Sequence, residues 1–132
     1  MKKIINNLKL WNIVNELKNT FEKETELVLP AKVSYIIQYN IKILMDKYEL
    51  IEKARFNIGK KYGVQTEEDS NVYQIPKDKI ELAQMELNQL MEIEQTVDIL
   101  ELHLKDLEEC FLNMKQMHAI LFMIKNIEDE EG

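Results

Sequence analysis

The spacing of apolar residues changes several times along this chain, and each change predicts an element. From Ile37 the series Ile37, Ile41, Leu44, Tyr48, Ile51, Arg55, Ile58, Tyr62 alternates steps of four and three, the heptad spacing of a helix with one buried seam. Arg55 is the polar member of that series. A second stripe, Val33, Ile36, Ile43, Leu50 and Ala54, runs beside it. Pro30 opens this helix, because a proline in the first turn gives up an N–H that has no partner there. Gly63 stands where a left-handed C-cap belongs, and Lys60 and Lys61 suit the negative end of the helix dipole. The predicted helix has about 32 residues and a length of about 48 Å.

The flanking patterns are shorter. Residues 2–10 are β-branched and weakly periodic, which predicts a short strand or extended arm. Trp11, Val14, Leu17 and Phe21 predict an amphipathic helix over 11–23, which Glu24 to Leu29 breaks. Gln65 to Gln74 is polar and acidic and reads as a loop. Pro76 opens a second helix of about 18–20 residues, with Asp78 in its first turn. It carries Ile80, Ala83, Leu87 and Leu90 on one line and Leu82, Met85 and Ile93 on another. The two helices should fold back on each other as an antiparallel hairpin. Thr96 to Lys105 alternates apolar and polar residues with a slip at Ile99-Leu100, which predicts a strand with a bulge, paired with the N-terminal strand. Asn113 to Asn126 reads as a third helix, apolar almost all round, and residues 127–132 form an acidic tail.

The expected fold is mainly α: a long antiparallel helical hairpin with a heptad seam, short flanking helices and a small two-stranded antiparallel sheet. One domain, 1–132, comprises an N-terminal arm and short helix (1–29), the hairpin (30–95), a strand and C-terminal helix (96–126) and the tail (127–132). A second helix of about 30 Å cannot cover a partner of about 48 Å that carries two apolar stripes. The flanking elements or another chain must cover the remainder.

Composition narrows the function. Lys and Arg total 17 against 24 Asp and Glu, a net charge of −7, which argues against a general nucleic-acid binder. Three glycines and two prolines fit a helical chain. A single cysteine, Cys110, excludes an internal disulfide framework. Asn6, Asn7 and Lys9 interrupt the early apolar run, so no signal peptide is expected. The longest apolar run, Ala119 to Ile124, is far short of a membrane span. The expected location is the cytoplasm.

Catalytic chemistry is not evident in the residues. His103 and His118 follow Leu100 and Lys115 at three residues, so neither forms the Glu-x-x-His pair of di-iron bundles. Cys110 and His118 could share a helix face as nucleophile and base, or could be a small buried thiol and a helix-edge histidine. Gly59-Lys60-Lys61 lacks the upstream glycine and terminal hydroxyl of a phosphate-binding loop. No catalytic, metal-binding or cofactor-binding residue is therefore expected.

The candidate partner-binding residues are Arg55, Lys60, Lys61, Glu67, Glu68, Asp69, Tyr73, Met117 and Phe122. Arg55 reads as a clamp on a partner's carboxylate or phosphate. The favoured reading is a stem packed in the seam, its head reaching water or paired with a glutamate of the second helix. Met114, Met117 and Met123 give the last helix a pliable apolar surface or plain core filling, and Trp11 is a further candidate anchor.

The block Leu29-Pro30-Ala31-Lys32-Val33-Ser34-Tyr35-Ile36, then Asn40 and a charged helix ending Lys61-Tyr62-Gly63, carries a resemblance. So do Glu92-x-Glu94-x-x-Val97-Asp98-Ile99 and Leu121-Phe122-Met123-Ile124. In this order the chain resembles a family of small proteins encoded by tailed phages and prophages of low-GC Gram-positive bacteria. None of these motifs is catalytic, and no site residue carries over. The resemblance implies a phage accessory protein acting inside the infected bacterial cell. The expected function is non-enzymatic binding of a host or phage protein, foremost as a stoichiometric inhibitor of a host defence complex (anti-CRISPR-like). The alternatives are a homo-oligomeric phage assembly or scaffold protein and a small-molecule (nucleotide) sequestering protein.

Overall fold

A computed structural model describes residues 1–22, 28–67 and 72–125. The first turn of the chain is set by Asn6. Strand β1 covers Lys2–Asn6, and the Asn6 side chain then accepts a hydrogen bond of 2.8 Å from the Lys9 N–H. This side-chain cap starts helix α1 at Asn7, earlier than the apolar spacing from Trp11 indicates, and the helix runs to Leu17. A π-helical turn, Lys18–Glu22, continues it. Residues 23–27, which hold the expected end of that helix, lie outside the described residues.

Helix α2 spans Ala31–Tyr62, 32 residues, as its heptad spacing predicts. Pro30 precedes its first turn rather than occupying it, and the Pro30 carbonyl accepts from the Ser34 N–H at 2.9 Å. Gly63 is not a left-handed cap. Its φ of −92° and ψ of 164° are extended backbone. It is required by space instead: a Cβ there would stand 2.5 Å from the Gly59 carbonyl oxygen and 2.8 Å from Tyr73 Cβ. That close approach lets the expected loop carry a short ribbon, β2 (Val64–Gln65) antiparallel to β3 (Tyr73–Gln74).

The second helix is shorter than expected. Pro76 caps a 3-10 turn, Lys77–Lys79, and α3 then spans Ile80–Glu92, 13 residues. It stops because the Ile93 carbonyl is taken by the Asn7 N–H at 2.9 Å, which turns the chain into β4 (Glu94–Asp98). The expected pairing of β4 with β1 is present and antiparallel, with Lys2 opposite Asp98 and Asn6 opposite Glu94.

The predicted strand over 96–105 ends early, for a reason that lies on α2. Asn40, fully buried, donates to the Leu100 carbonyl at 2.9 Å and accepts from the Leu100 N–H at 2.8 Å. The expected bulge is thus a handover of backbone from β1 to a side chain. His103 falls outside the strand, and its N–H donates to Asp106 at the start of a 3-10 turn, Leu104–Leu107. Helix α4 is likewise curtailed to Met114–Ile120, followed by a 3-10 turn at Leu121–Met123. There the chain straightens, because Leu102 donates to the Met123 carbonyl and accepts from the Lys125 N–H, both at 2.8 Å. Residues 126–132, and with them the expected acidic tail, lie outside the described residues.

The result is a mainly α fold with a small antiparallel sheet. Its core joins Leu10, Val14 and Leu17 of α1 with Val33, Ile37, Leu44 and Ile51 of α2, and with Val97, Ile99, Ile120 and Met123. The flanking elements therefore cover the first two thirds of α2, and α3, about 20 Å long, covers the rest. The second stripe splits: Val33 and Ile36 are buried, whereas Leu50 is 65% exposed. No helix among the described residues is long and apolar enough to cross a membrane.

The Asn40→Ala variant leaves both Leu100 backbone groups without that partner. It is expected to lose about 2–3 kcal/mol of unfolding free energy, read from the urea midpoint at unchanged slope.

Candidate functional site

Past Ile51 the main core ends, and α2 continues as one of two layers with α3 and β3 beside it. A two-layer region leaves side chains without a third partner. On one side a cleft of about 380 Å³ opens between Arg55, Phe56 and Gly59 of α2 and Ile80, Ala83 and Leu87 of α3, with Ile75 closing one end. Phe56 and Ile80 remain 40% and 50% exposed. Tyr73 meets the Phe56 ring edge-on at 5.8 Å between centroids, and the Lys60 ammonium lies 5.7 Å from the same ring. Helical spacing and the ribbon thus bring Lys60 and Tyr73 to Phe56, while Arg55 lines the cleft itself.

The polar wall of the cleft is a three-residue lock. The Trp11 indole N–H donates to Glu52 Oε1 at 2.7 Å, and Arg55 Nη1 donates to the same oxygen at 2.8 Å. The Arg55 guanidinium stacks 4.9 Å from the Trp11 ring centroid. Arg55 is therefore paired within its own helix, not with a glutamate of α3. Partial burial pushes the Glu52 carboxyl up, but hydrogen bonds from Trp11 and Arg55 outweigh it and hold the group below the usual glutamate range.

The other predicted residues disperse. Lys61 faces away from the cleft and pairs with Glu86 of α3 at 3.1 Å. Hydrogen bonds from Tyr62 and Lys61 hold the Glu86 carboxyl low, and Glu86 in turn raises Lys61. Glu67 sits exposed in the bend after β2, while Glu68 and Asp69 lie outside the described residues. Met117 and Phe122 are part-buried against the main core, and the Lys3 ammonium lies 5.1 Å from the Phe122 ring centroid. They do not reach the cleft. Of the methionines on the last helix, Met123 is buried and Met114 is 89% exposed.

Cys110 and His118 do not share a helix face. Cys110 precedes α4 and contacts the Asp106 carbonyl at 3.6 Å, whereas His118 pairs with Glu16 of α1. Burial, with Glu109 and Asp106 nearby, pushes the Cys110 thiol up, the opposite of what an activated nucleophile needs. Among the described residues no group of three or more His, Cys, Asp or Glu could hold a metal ion.

Phe56, Ile75, Ile80 and the Trp11–Glu52 bond are the site features that sequence reasoning missed. Phe56 had one readable signal, an aromatic residue off the buried seam of α2. No family model, curated protein or solved structure matches the chain.

Trp11 is the single tryptophan, so its emission reports on Glu52 directly. With its folded pKa depressed, Glu52 contributes stability above the unfolded value, and that contribution is lost as pH falls through the folded one. Emission is expected to titrate with a midpoint below the usual glutamate value. The transition should be absent in Glu52→Gln.

Proposed function

We propose that this protein works by binding another protein through the cleft beside Arg55 and Phe56, without catalysing a reaction. The observation that carries the reading is the gathering of exposed apolar side chains at the hairpin end. Phe56, Ile80, Val64 and Val72 are 40%, 50%, 63% and 62% exposed. Exposed apolar surface in a concavity marks interaction sites on soluble domains. The Trp11–Glu52–Arg55 lock holds one wall rigid, which lowers the ordering cost of association.

In its sharpest form the reading is a phage accessory protein that inhibits a host defence complex stoichiometrically, in the manner of an anti-CRISPR protein. The net charge of −7 supports a basic partner surface, whose approach acidic charge would steer. The resemblance to small phage proteins supports the setting, the cytoplasm of an infected bacterial cell. Sequestration of a small anion is a second reading, favoured by a cleft volume within the usual ligand range. It ranks lower because Arg55 is already engaged by Glu52, and an anion would have to displace that carboxylate.

Affinity capture from host lysate with mass spectrometry, at low and moderate salt, tests the proposal. One stoichiometric host complex is expected, weakening as salt rises and lost with Phe56→Asp at unchanged far-UV circular dichroism. Recovery of the protein alone, or of phage structural proteins, would sink the inhibitor reading.

A further inference from the structure

The hairpin has a second open face, on the side away from the cleft. A groove of about 370 Å³ runs there between α2 and α3. On α2 the face presents Leu50, Asn57 and Lys61, and on α3 it presents Leu82, Glu86, Gln89 and Ile93. Steps of three, four and seven residues keep each set on one side of its helix. Leu50, Leu82 and Ile93 are 65%, 51% and 53% exposed.

The Lys61–Glu86 ion pair fixes how the two stripes align across the groove. Counting back from it along antiparallel helices sets Asn57 level with Gln89 and Leu90, and Ala54 level with Ile93. The face is therefore layered. Leu50 stands at the rim, an apolar layer of Ala54 and Ile93 follows one turn on, then an amide layer of Asn57 and Gln89, then the charged layer of Lys61 and Glu86. Leu82 follows one turn beyond.

We propose that this face binds a second copy of the chain. The two-fold axis lies between the copies and parallel to the helices, so that α2 of each covers α3 of the other. All neighbouring helices then run antiparallel, the arrangement of an up-down-up-down four-helix bundle.

A second copy fits because the face matches itself under that operation. Ala54 and Ile93 meet the partner's Ile93 and the partner's Ala54, with Leu50 of each copy at the rim one turn beyond. Asn57 and Gln89 meet amides that can both donate and accept. Lys61 lies over the partner's Glu86, and Glu86 over the partner's Lys61, which makes a ring of alternating charge. The two charges on the face cancel, although the chain carries −7. The general self-repulsion of an acidic protein is therefore weakest here.

The area sets the strength. Each stripe extends about 17 Å along its helix, and two helices with their side chains present about 500 Å² per copy. A total of about 1,000 Å² is the size of a reversible contact rather than an obligate dimer. This proposal is independent of the cleft on the other side and of its partner.

Sedimentation equilibrium from about 5 to about 500 µM, a range suited to a contact of this size, is the test. The wild-type chain is expected to pass from monomer to dimer across that range, and Ile93→Lys to weaken association about tenfold. Lys61→Glu and Glu86→Lys each place four like charges in the ring, so each variant alone should be monomeric. An equimolar mixture of the two should recover a heterodimer, because the acidic pair of one variant then faces the basic pair of the other. Circular dichroism of each variant separates lost association from lost folding. A wild-type chain monomeric throughout, a dimer indifferent to Ile93→Lys, or charge variants that stay monomeric on mixing would overturn the proposal.

Discussion

Asn40 stands fully buried in the middle of α2 and gives both of its amide functions to the backbone of Leu100. A buried amide without partners is costly, and so is a backbone N–H or C=O stranded at the end of a strand. Here each satisfies the other. The contact fixes the point where β4 gives way to irregular chain, and it brings Met123 within 3.4 Å of the same amide nitrogen. The positions of Leu102, of the Leu102–Ile124 bridge and so of the end of α4 all follow from that anchor. Asn7 does the equivalent work at the other junction. Its side chain donates to Leu90 and accepts from Gln95, while its N–H takes the Ile93 carbonyl. Two asparagines thus hold the places where this fold leaves regular structure.

Those anchors divide α2 unevenly. Up to Ile51 the helix is wrapped by α1, β4 and the C-terminal segment, and Val33, Ile36, Ile37, Leu44 and Ile51 are buried. Beyond Ile51 it has α3 and a four-residue ribbon. A pair of helices buries one seam and leaves a furrow on either side, which is why the hairpin carries two clefts of similar size with different linings. One is edged by aromatic rings and a locked guanidinium, the other by amides and a neutral ion pair.

The sequence was most legible where period decides structure. The heptad steps from Ile37 to Tyr62 mark α2 correctly, and the period-two stretch near Val97 marks a strand that does pair with the N-terminal one. Legibility failed wherever a single polar side chain ends an element. Asn6 starts α1 early through a local cap outside the apolar spacing, whereas Asn7 cuts α3 short and Asn40 stops β4 by capture from a distant amide, which leaves no periodic trace. Gly63 was the right residue for a different reason, close approach instead of a left-handed turn. At the candidate site Arg55 was visible as the polar member of an apolar seam. Its partner Glu52, one turn away, was available to spacing arguments. The Trp11 contact was not, since it joins residues 41 apart in the chain.

The pairing of β1 with β4 closes a loop of about 90 residues, the longer-range of the two strand pairings among the described residues. During synthesis β1 leaves the ribosome before β4 and must wait, with an open hydrogen-bonding edge, until the chain has been extended through Asp98. Helices α1, α2 and α3 form from local contacts in that interval and become the template on which the ribbon zips. Strand pairing thereby waits on synthesis through Asp98. A chain interrupted between residues 92 and 94 contains α1, α2 and α3 but has no partner for β1, and an unpaired strand invites edge-to-edge association and removal of the incomplete product.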